Sequence, residues 1–320
     1  MSGTLILGIP SKGRLEAQAA DLFKQAGMTL HRSDARGYQG RLDGFDDILV
    51  QYLSAGEIAR RLAAGEIHFG VTGLDLMHEE ASDMENAIAL LQPLGFGRAD
   101  VVVAVPDEWH AADMDDLIMT ALRARAEDGS LIRVATKYEN LAHEFFADHG
   151  FTQYEWVESS GATEGAPADG VADIIVDITT TGATLAANNL QRLSDGTILQ
   201  SEAYLAASLR ALWPEAALED TARWFLARLD AYFAATQWLI VRIDVDAMAA
   251  PYMQGIESET GARVISSGEA HQYAVPTDRL KDFMNRVAEL SQYNVYVSRA
   301  DYVFESAQAT YTKLKSKLKA

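Results

Sequence analysis

The chain has 320 residues, 48% of them hydrophobic and 23% charged, enough for two or three compact units and with no compositional basis for disorder. A formal charge of −19 argues against a nucleic-acid partner, because phosphate backbones are held by basic surfaces. The absence of cysteine excludes disulfides, thiolate catalysis and cysteine-ligated zinc.

From the N-terminus, Met1–Pro10 leads into Lys12 and Gly13 without the plan of a signal peptide, and no apolar run approaches the roughly 18 residues of a membrane span, so a cytoplasmic location is expected. Short apolar or β-branched runs follow at Leu5–Ile9, Ile48–Leu53, Ile67–Val71, Val101–Val105, Leu131–Ala135 and Ile174–Ile178, with helical patterns between them. This alternation predicts α/β layers around mainly parallel sheets. Two sheets fit the length. The run Val101–Pro106 is expected to cross into a second lobe, and the chain to return after Leu190 through Thr197–Tyr204. A ligand site is expected in the cleft between the lobes. An acidic protein can still bind anions there, through backbone N–H groups, helix N-termini and a few focused cations.

In Ala216–Ala235, Leu218, Ala222, Phe225, Leu226, Leu229 and Phe233 recur at helical intervals. Beyond it, residues 236–320 hold ten Lys/Arg and ten Asp/Glu, so the whole net charge belongs to residues 1–235 and the tail is expected to be a separate unit. Its pattern predicts a strand at Trp238–Ile243, a helix at Ala247–Glu259, and strands at Arg263–Ser267 and Gln272–Val275. A helix at Thr277–Ser291 with Thr277 as N-cap and a strand at Val295–Val297 complete the βαββαβ order of a ferredoxin-like module. Thr310–Ala320 is amphipathic and Lys-studded, with no evident chemistry.

The segment richest in chemistry follows Ile174–Ile178. There Thr179-Thr180-Thr181-Gly182-Ala183-Thr184 leads into Leu185–Leu190, which can continue as helix. A strand feeding a small-residue turn at a helix start presents unpaired N–H donors, and phosphate fits there, aided by hydroxyls and by close approach at Gly182. An ordinary capped helix is the alternative on pattern alone. Four hydroxyl-bearing residues within six positions favour the anion site.

The runs Gly161–Pro167, Ala172–Asp177 and Thr180–Leu185 together resemble the signature of ATP phosphoribosyltransferases, the enzymes that join N1 of ATP to the ribose of phosphoribosyl pyrophosphate and release pyrophosphate. Other segments resemble the family in order: Pro10–Leu15, Arg36 with Tyr38, Gly70–Leu76, and Leu94–Gly97 followed by Val101–Pro106. The resemblance implies a two-lobed, type II periplasmic-binding-protein-like catalytic core. It implies a first lobe of residues 1–100 and 191–235, a second of 101–190, and a C-terminal ferredoxin-like domain of 236–320. By the same resemblance Asp177, Thr179, Thr180, Thr181, Gly182, Ala183 and Thr184 hold the 5-phosphate and ribose of phosphoribosyl pyrophosphate. Lys12, Gly13, Arg14, Arg36, Thr72, Gly73 and Asp75 line the ATP and pyrophosphate region, and Glu164 sits beside the ribose.

Displacing pyrophosphate from C1 of ribose builds positive charge on the sugar and negative charge on the leaving group, so magnesium and fixed cations such as Lys12 and Arg14 are expected to assist. The adenine N1 is already a neutral nucleophile, so placement matters more than a general base. Magnesium is expected with the substrate rather than in a protein cage, and the seven histidines show no zinc-like spacing. Taken singly, Lys12, Arg36 and Lys137 read as solvated charges, Asp177 as an N-cap and Asp173 as an exposed strand residue.

Some family members carry a C-terminal ferredoxin-like domain that binds histidine and inhibits. Shorter ones rely on a partner subunit. Residues 236–320 have the element order of that domain but lack its Leu-Pro-Gly turn, so histidine feedback, a domain used only for homo-oligomer assembly, and a partner-dependent core all stay open. From another class, a small-molecule-binding or sensing protein of the same two-lobed fold is the alternative.

Overall fold

The computed structural model describes residues 3–33, 37–81, 83–157, 163–244, 255–267, 270–288 and 294–319. The core strands are β1 (Leu5–Pro10), β2 (Leu30–Arg32), β3 (Gln39–Leu42), β4 (Phe45–Leu53), β5 (Phe69–Gly73), β6 (Ile88–Pro93), β7 (Ala99–Pro106), β8 (Ile132–Thr136), β9 (Tyr154–Val157), β10 (Ile174–Thr179), β11 (Leu190–Ser201) and β12 (Ala203–Ser208). They form two sheets, of seven strands in the order β2-β3-β4-β1-β5-β12-β6 and of five in the order β11-β7-β10-β8-β9. The strands β1, β4 and β5 run parallel, as do β8, β9 and β10, while β12 and β7 are antiparallel to their neighbours. This is the two-lobed periplasmic-binding-protein-like arrangement.

Each sheet is apolar on both faces, as β-branched runs without alternation require. In the first lobe, Leu5, Leu7 and Ile9 pack with Phe23 and Phe225 on one face, while Ile58, Leu62 and Ile67 lie in a separate cluster. In the second, Val101, Val103 and Val105 pack with Leu117 and Phe146, while Val102 and Ala104 meet Leu185 and Leu190 on the other face. The helical stretch expected at Ala216–Ala235 is Glu215–Ala217, a π-turn at Leu218–Ala222 and Arg223–Gln237. Its Phe225 ring lies 5.0 Å from Phe69 and 6.0 Å from Phe23 and Phe45, centroid to centroid.

Two expectations about the core change. The helix after the threonine turn stops at Ala187 and does not reach Leu190. Asn189 takes a positive φ of 55° there, and Leu190 opens β11. That strand pairs antiparallel with β7, so residues 191–201 lie in the second sheet, and the chain rejoins the first only at β12.

The tail forms a third sheet from β13 (Trp238–Ile243), β14 (Arg263–Ser266), β15 (His271–Pro276) and β16 (Val295–Ser298), in the order β14-β15-β13-β16. All its pairs are antiparallel, and its core holds Val241, Ile243, Tyr273, Val275 and Phe283. Of the helix expected at Ala247–Glu259, residues 247–254 lie outside the described residues, and helix is present at Ile256–Thr260. The one expected at Thr277–Ser291 begins as a 3₁₀ turn, Thr277–Arg279, and continues as Leu280–Val287. Residues 289–291 of that expectation also lie outside the described set. Thr277 does not cap it. Its hydroxyl donates to the Thr236 carbonyl at 3.1 Å, tying the tail to the end of the Arg223–Gln237 helix.

Residues 310–319 of the amphipathic segment do not stay with the tail sheet, and Ala320 lies outside the described residues. A helix at Ala309–Lys319 returns to the first lobe and buries Tyr311 and Leu314 in its core. Asp230 accepts from both the backbone N–H and the hydroxyl of Thr310, and Glu219 accepts from Tyr311 and Lys315.

Candidate functional site

The two lobes meet where the chain crosses between the sheets, at residues 94–99 and 201–203. Leu94 and Ala203 exchange a backbone bond at 2.9 Å, as do Ala203 and Phe96, and the N–H of Leu74 donates to Glu202 at 3.1 Å. The parallel strands of both sheets point their C-terminal ends at this crossing, the position where α/β sheets bind ligands. Gly97, at a φ of +66°, brings the segments close: a Cβ there would lie 3.1 Å from Leu15 Cδ1 and 3.3 Å from the Ala203 Cβ.

On the first-lobe side, Lys12, Gly13 and Arg14 follow β1 and are exposed. Lys12 is the extended residue before the Gly13–Gln25 helix. Arg36 lies outside the described residues. The side chains of Thr72 and Asp75 are used within the protein. Thr72 is buried and donates to the Ala55 carbonyl at 2.8 Å. The Asp75 carboxylate accepts from Ser201 Oγ at 2.6 Å and from the Tyr138 hydroxyl at 2.8 Å. Gly73, at the end of β5, leaves its backbone close to the crossing.

On the second-lobe side, β10 ends in the threonine turn. Thr179 Oγ1 accepts the Gly182 N–H at 2.9 Å, Thr181 Oγ1 accepts the Ala183 N–H at 3.4 Å, and the Thr180 hydroxyl donates to the Arg98 carbonyl at 3.3 Å. Gly182 takes a left-handed φ of 76°, which a side chain would strain. Thr180, Thr181, Ala183 and Thr184 are exposed at the rim. Asp177 is half-buried, and burial pushes its carboxyl above the usual range; the nearby Glu164 charge acts in the same direction and Lys137 opposes it. Its Oδ1 accepts the N–H of Ile178 at 2.8 Å, and it lies within β10, so Asp177 is a strand residue rather than a helix cap. Asp173 forms an ion pair with Arg133 at 2.7 Å and is structural.

Sequence pattern missed the partners that organise this region. Lys137, a solvated charge when viewed alone, stands just past the C-terminal end of β8 with its charge acting on Asp177. The end of that strand was the available signal. Tyr138, Ser201 and Glu79 offered none, since their partners lie 61 to 126 residues away in sequence.

The sequence matches the family model described as HisG: ATP phosphoribosyltransferase over residues 54–229. It is 43% identical to the ATP phosphoribosyltransferase of Nitrobacter hamburgensis, with 100% of both chains covered. The chain belongs to the ATP phosphoribosyltransferase family. It is also 52% identical over 247 residues to the ATP phosphoribosyltransferase of Rhodopseudomonas palustris strain BisA53, covering 76% of this chain and 75% of that one. Among solved structures, an ATP phosphoribosyl transferase (HisG:HisZ) complex from Thermotoga maritima superposes with a TM-score of 0.54 at 23% identity, covering 71% of this chain and 97% of that one. At that identity the match shows a shared fold, that of the two-lobed core.

Proposed function

We infer that this member of the family transfers the phosphoribosyl group of phosphoribosyl pyrophosphate to N1 of ATP, releasing pyrophosphate, at the first step of histidine biosynthesis. One observation carries the placement of the site: the hydroxyl-braced turn Thr179–Thr184 stands at the C-terminal end of β10, at the crossing and beside the half-buried Asp177. Its hydroxyls and the N–H groups near Thr184 suit the 5-phosphate. Asp177 and Glu164 suit the ribose hydroxyls, as acceptors that also favour positive charge developing on the sugar.

Lys12 and Arg14 stand on the opposite lobe, exposed and suited to the pyrophosphate. The C1–O bond to pyrophosphate breaks as the bond from N1 to C1 forms, with the electron pair leaving on the pyrophosphate oxygen. No proton has to move in that step, so the lobes act by placement and by charge. Asp75, with its carboxylate engaged by Ser201 and Tyr138, contributes to the shape of the ATP region rather than as an open ligand.

Magnesium is assigned to the diphosphate. Among the described residues no group of three or more His, Asp or Glu side chains is placed to hold a metal ion, and magnesium characteristically binds substrate phosphates and water with one or two carboxylates. Bound there, it would neutralise the leaving group.

We assign the 236–320 region a regulatory or assembly role, with histidine as the effector to test. Deleting it whole would also remove Tyr311 and Leu314 from the core of the first lobe, so the intact chain is the material to titrate. Histidine inhibition of the intact enzyme supports feedback, and unchanged turnover at saturating histidine supports assembly alone. For the activity itself, the test is formation of N1-phosphoribosyl-ATP from ATP, phosphoribosyl pyrophosphate and magnesium by purified protein. Its absence with histidine removed would point to a required partner subunit.

A further inference from the structure

Both carboxylates on one face of a first-lobe helix reach into the second lobe. In Leu74–Glu80, Asp75 and Glu79 are four residues apart and so share a face. Asp75 is buried, holding Ser201 Oγ at 2.6 Å and the Tyr138 hydroxyl at 2.8 Å, while its own N–H donates to Ser201 Oγ at 3.1 Å. One turn on, the carboxylate of Glu79 accepts the backbone N–H groups of Asn140 and Leu141 at 3.0 and 3.1 Å, and the Asn140 side-chain amide donates back to the Glu79 carbonyl at 2.8 Å. Glu79 therefore caps, from the other lobe, the first turn of the Glu139–Asp148 helix.

This polar contact comes with a cost. Burial pushes the Glu79 carboxyl up, against the two amides that hold it down, and a pair of apolar surfaces would avoid that cost. Direction is what the polar contact adds, because hydrogen bonds fix an angle that apolar contact does not. Tyr138 lies where the angle matters. Its backbone N–H donates to Thr136 Oγ1 at 2.8 Å, Thr136 pairs with Val176, and Asp177 is the next residue.

We propose that Tyr138 is a positioning residue: through Asp75, with the Glu79 cap alongside, it sets the angle at which Lys12 and Arg14 face the Asp177–Thr184 turn. This deepens the cleft reading above and rests on it. The phosphoribosyl pyrophosphate turn lies within one lobe and should still form when the contact is broken. The facing of the two lobes, needed only when both substrates react, should not.

The test is Tyr138→Phe, which keeps the ring and removes one hydroxyl, read by kinetics, by binding of phosphoribosyl pyrophosphate alone, and by amide hydrogen exchange. The expected result is a kcat about tenfold lower, binding of phosphoribosyl pyrophosphate changed by less than about twofold, and faster exchange at the Asn140 and Leu141 amides, with Val103 and Val134 in the sheet unchanged. Unchanged exchange at Asn140 and Leu141, or unchanged kcat, overturns the proposal. So does a loss of binding that parallels faster exchange throughout the second sheet, which marks a merely structural residue. Exchange is read without turnover, so a wild type lacking activity would sink the activity reading while the exchange comparison still decided whether Tyr138 holds the contact between the lobes.

Discussion

Thr179 Oγ1 accepts the backbone N–H of Gly182 at 2.9 Å, which closes the end of β10 into a turn with Gly182 in left-handed backbone. A Cβ at Gly182 would meet nothing within 4 Å, so Gly182→Ala tests conformation without a clash. Left-handed strain of about 1–2 kcal/mol predicts a KM for phosphoribosyl pyrophosphate raised by roughly tenfold, with the KM for ATP nearly unchanged. Steady-state kinetics with each substrate varied in turn would check it, and equal increases in both KM values would contradict the assignment of the turn.

Lys12 and Thr184 should fail in different ways. Thr184→Ala removes a hydroxyl proposed to donate to the 5-phosphate, a charge-assisted bond of about 1.5–3 kcal/mol, so binding of phosphoribosyl pyrophosphate should weaken by roughly 10- to 100-fold. Lys12→Ala removes a cation that matters most as negative charge gathers on pyrophosphate, so kcat should fall by at least about tenfold while binding weakens less. Calorimetric titration beside initial-rate kinetics separates the two outcomes.

His68 gives the fold a dependence on acid. Its Nδ1 accepts the Ile6 N–H and its Nε2 donates to the Leu212 carbonyl, both at 3.1 Å, so the neutral ring is the form that fits. Burial holds the imidazole below its ordinary value of 6.5, with the Leu212 carbonyl partly offsetting this. The folded state thus binds fewer protons than the unfolded state in the window just below that value. The stabilisation is present above it and is lost as the pH falls. The melting temperature should fall between about pH 7 and about pH 5, and His68→Gln should flatten that slope. An equal slope in the variant would contradict the assignment.

The C-terminal helix is part of the catalytic core's stability. Leu314 is fully buried against the first lobe, so Leu314→Ala should destabilise by about 2–5 kcal/mol and lower the melting temperature even though it lies beyond the tail sheet. A melting temperature unchanged by that substitution would show that the helix detaches in solution.

Much of this architecture was legible because the buried strands are largely apolar runs: Leu5–Ile9 and, despite Asp177, Ile174–Ile178 each come within one residue of the observed strand. The 12-residue strand Leu190–Ser201 was not recognised in full, because Arg192, Asp195 and Gln200 interrupt its pattern and its register shifts between Arg192 and Thr197. The threonine turn was legible from local chemistry. The engagement of Asp75 was not, because Tyr138 and Ser201 reach it from 63 and 126 residues away, and no local periodicity encodes such a contact. The fate of Thr310–Ala320 was hidden for the same reason: an amphipathic stripe shows that a face is buried, not against what.

The most direct test is an assay of the intact, histidine-free protein with ATP, phosphoribosyl pyrophosphate and magnesium, following N1-phosphoribosyl-ATP by absorbance and pyrophosphate by a coupled reaction. The structure predicts equal amounts of both products from the wild type, and at least about tenfold less from Thr184→Ala and Lys12→Ala. Full activity in both variants would contradict the placement of the site between Lys12 and the Asp177–Thr184 turn.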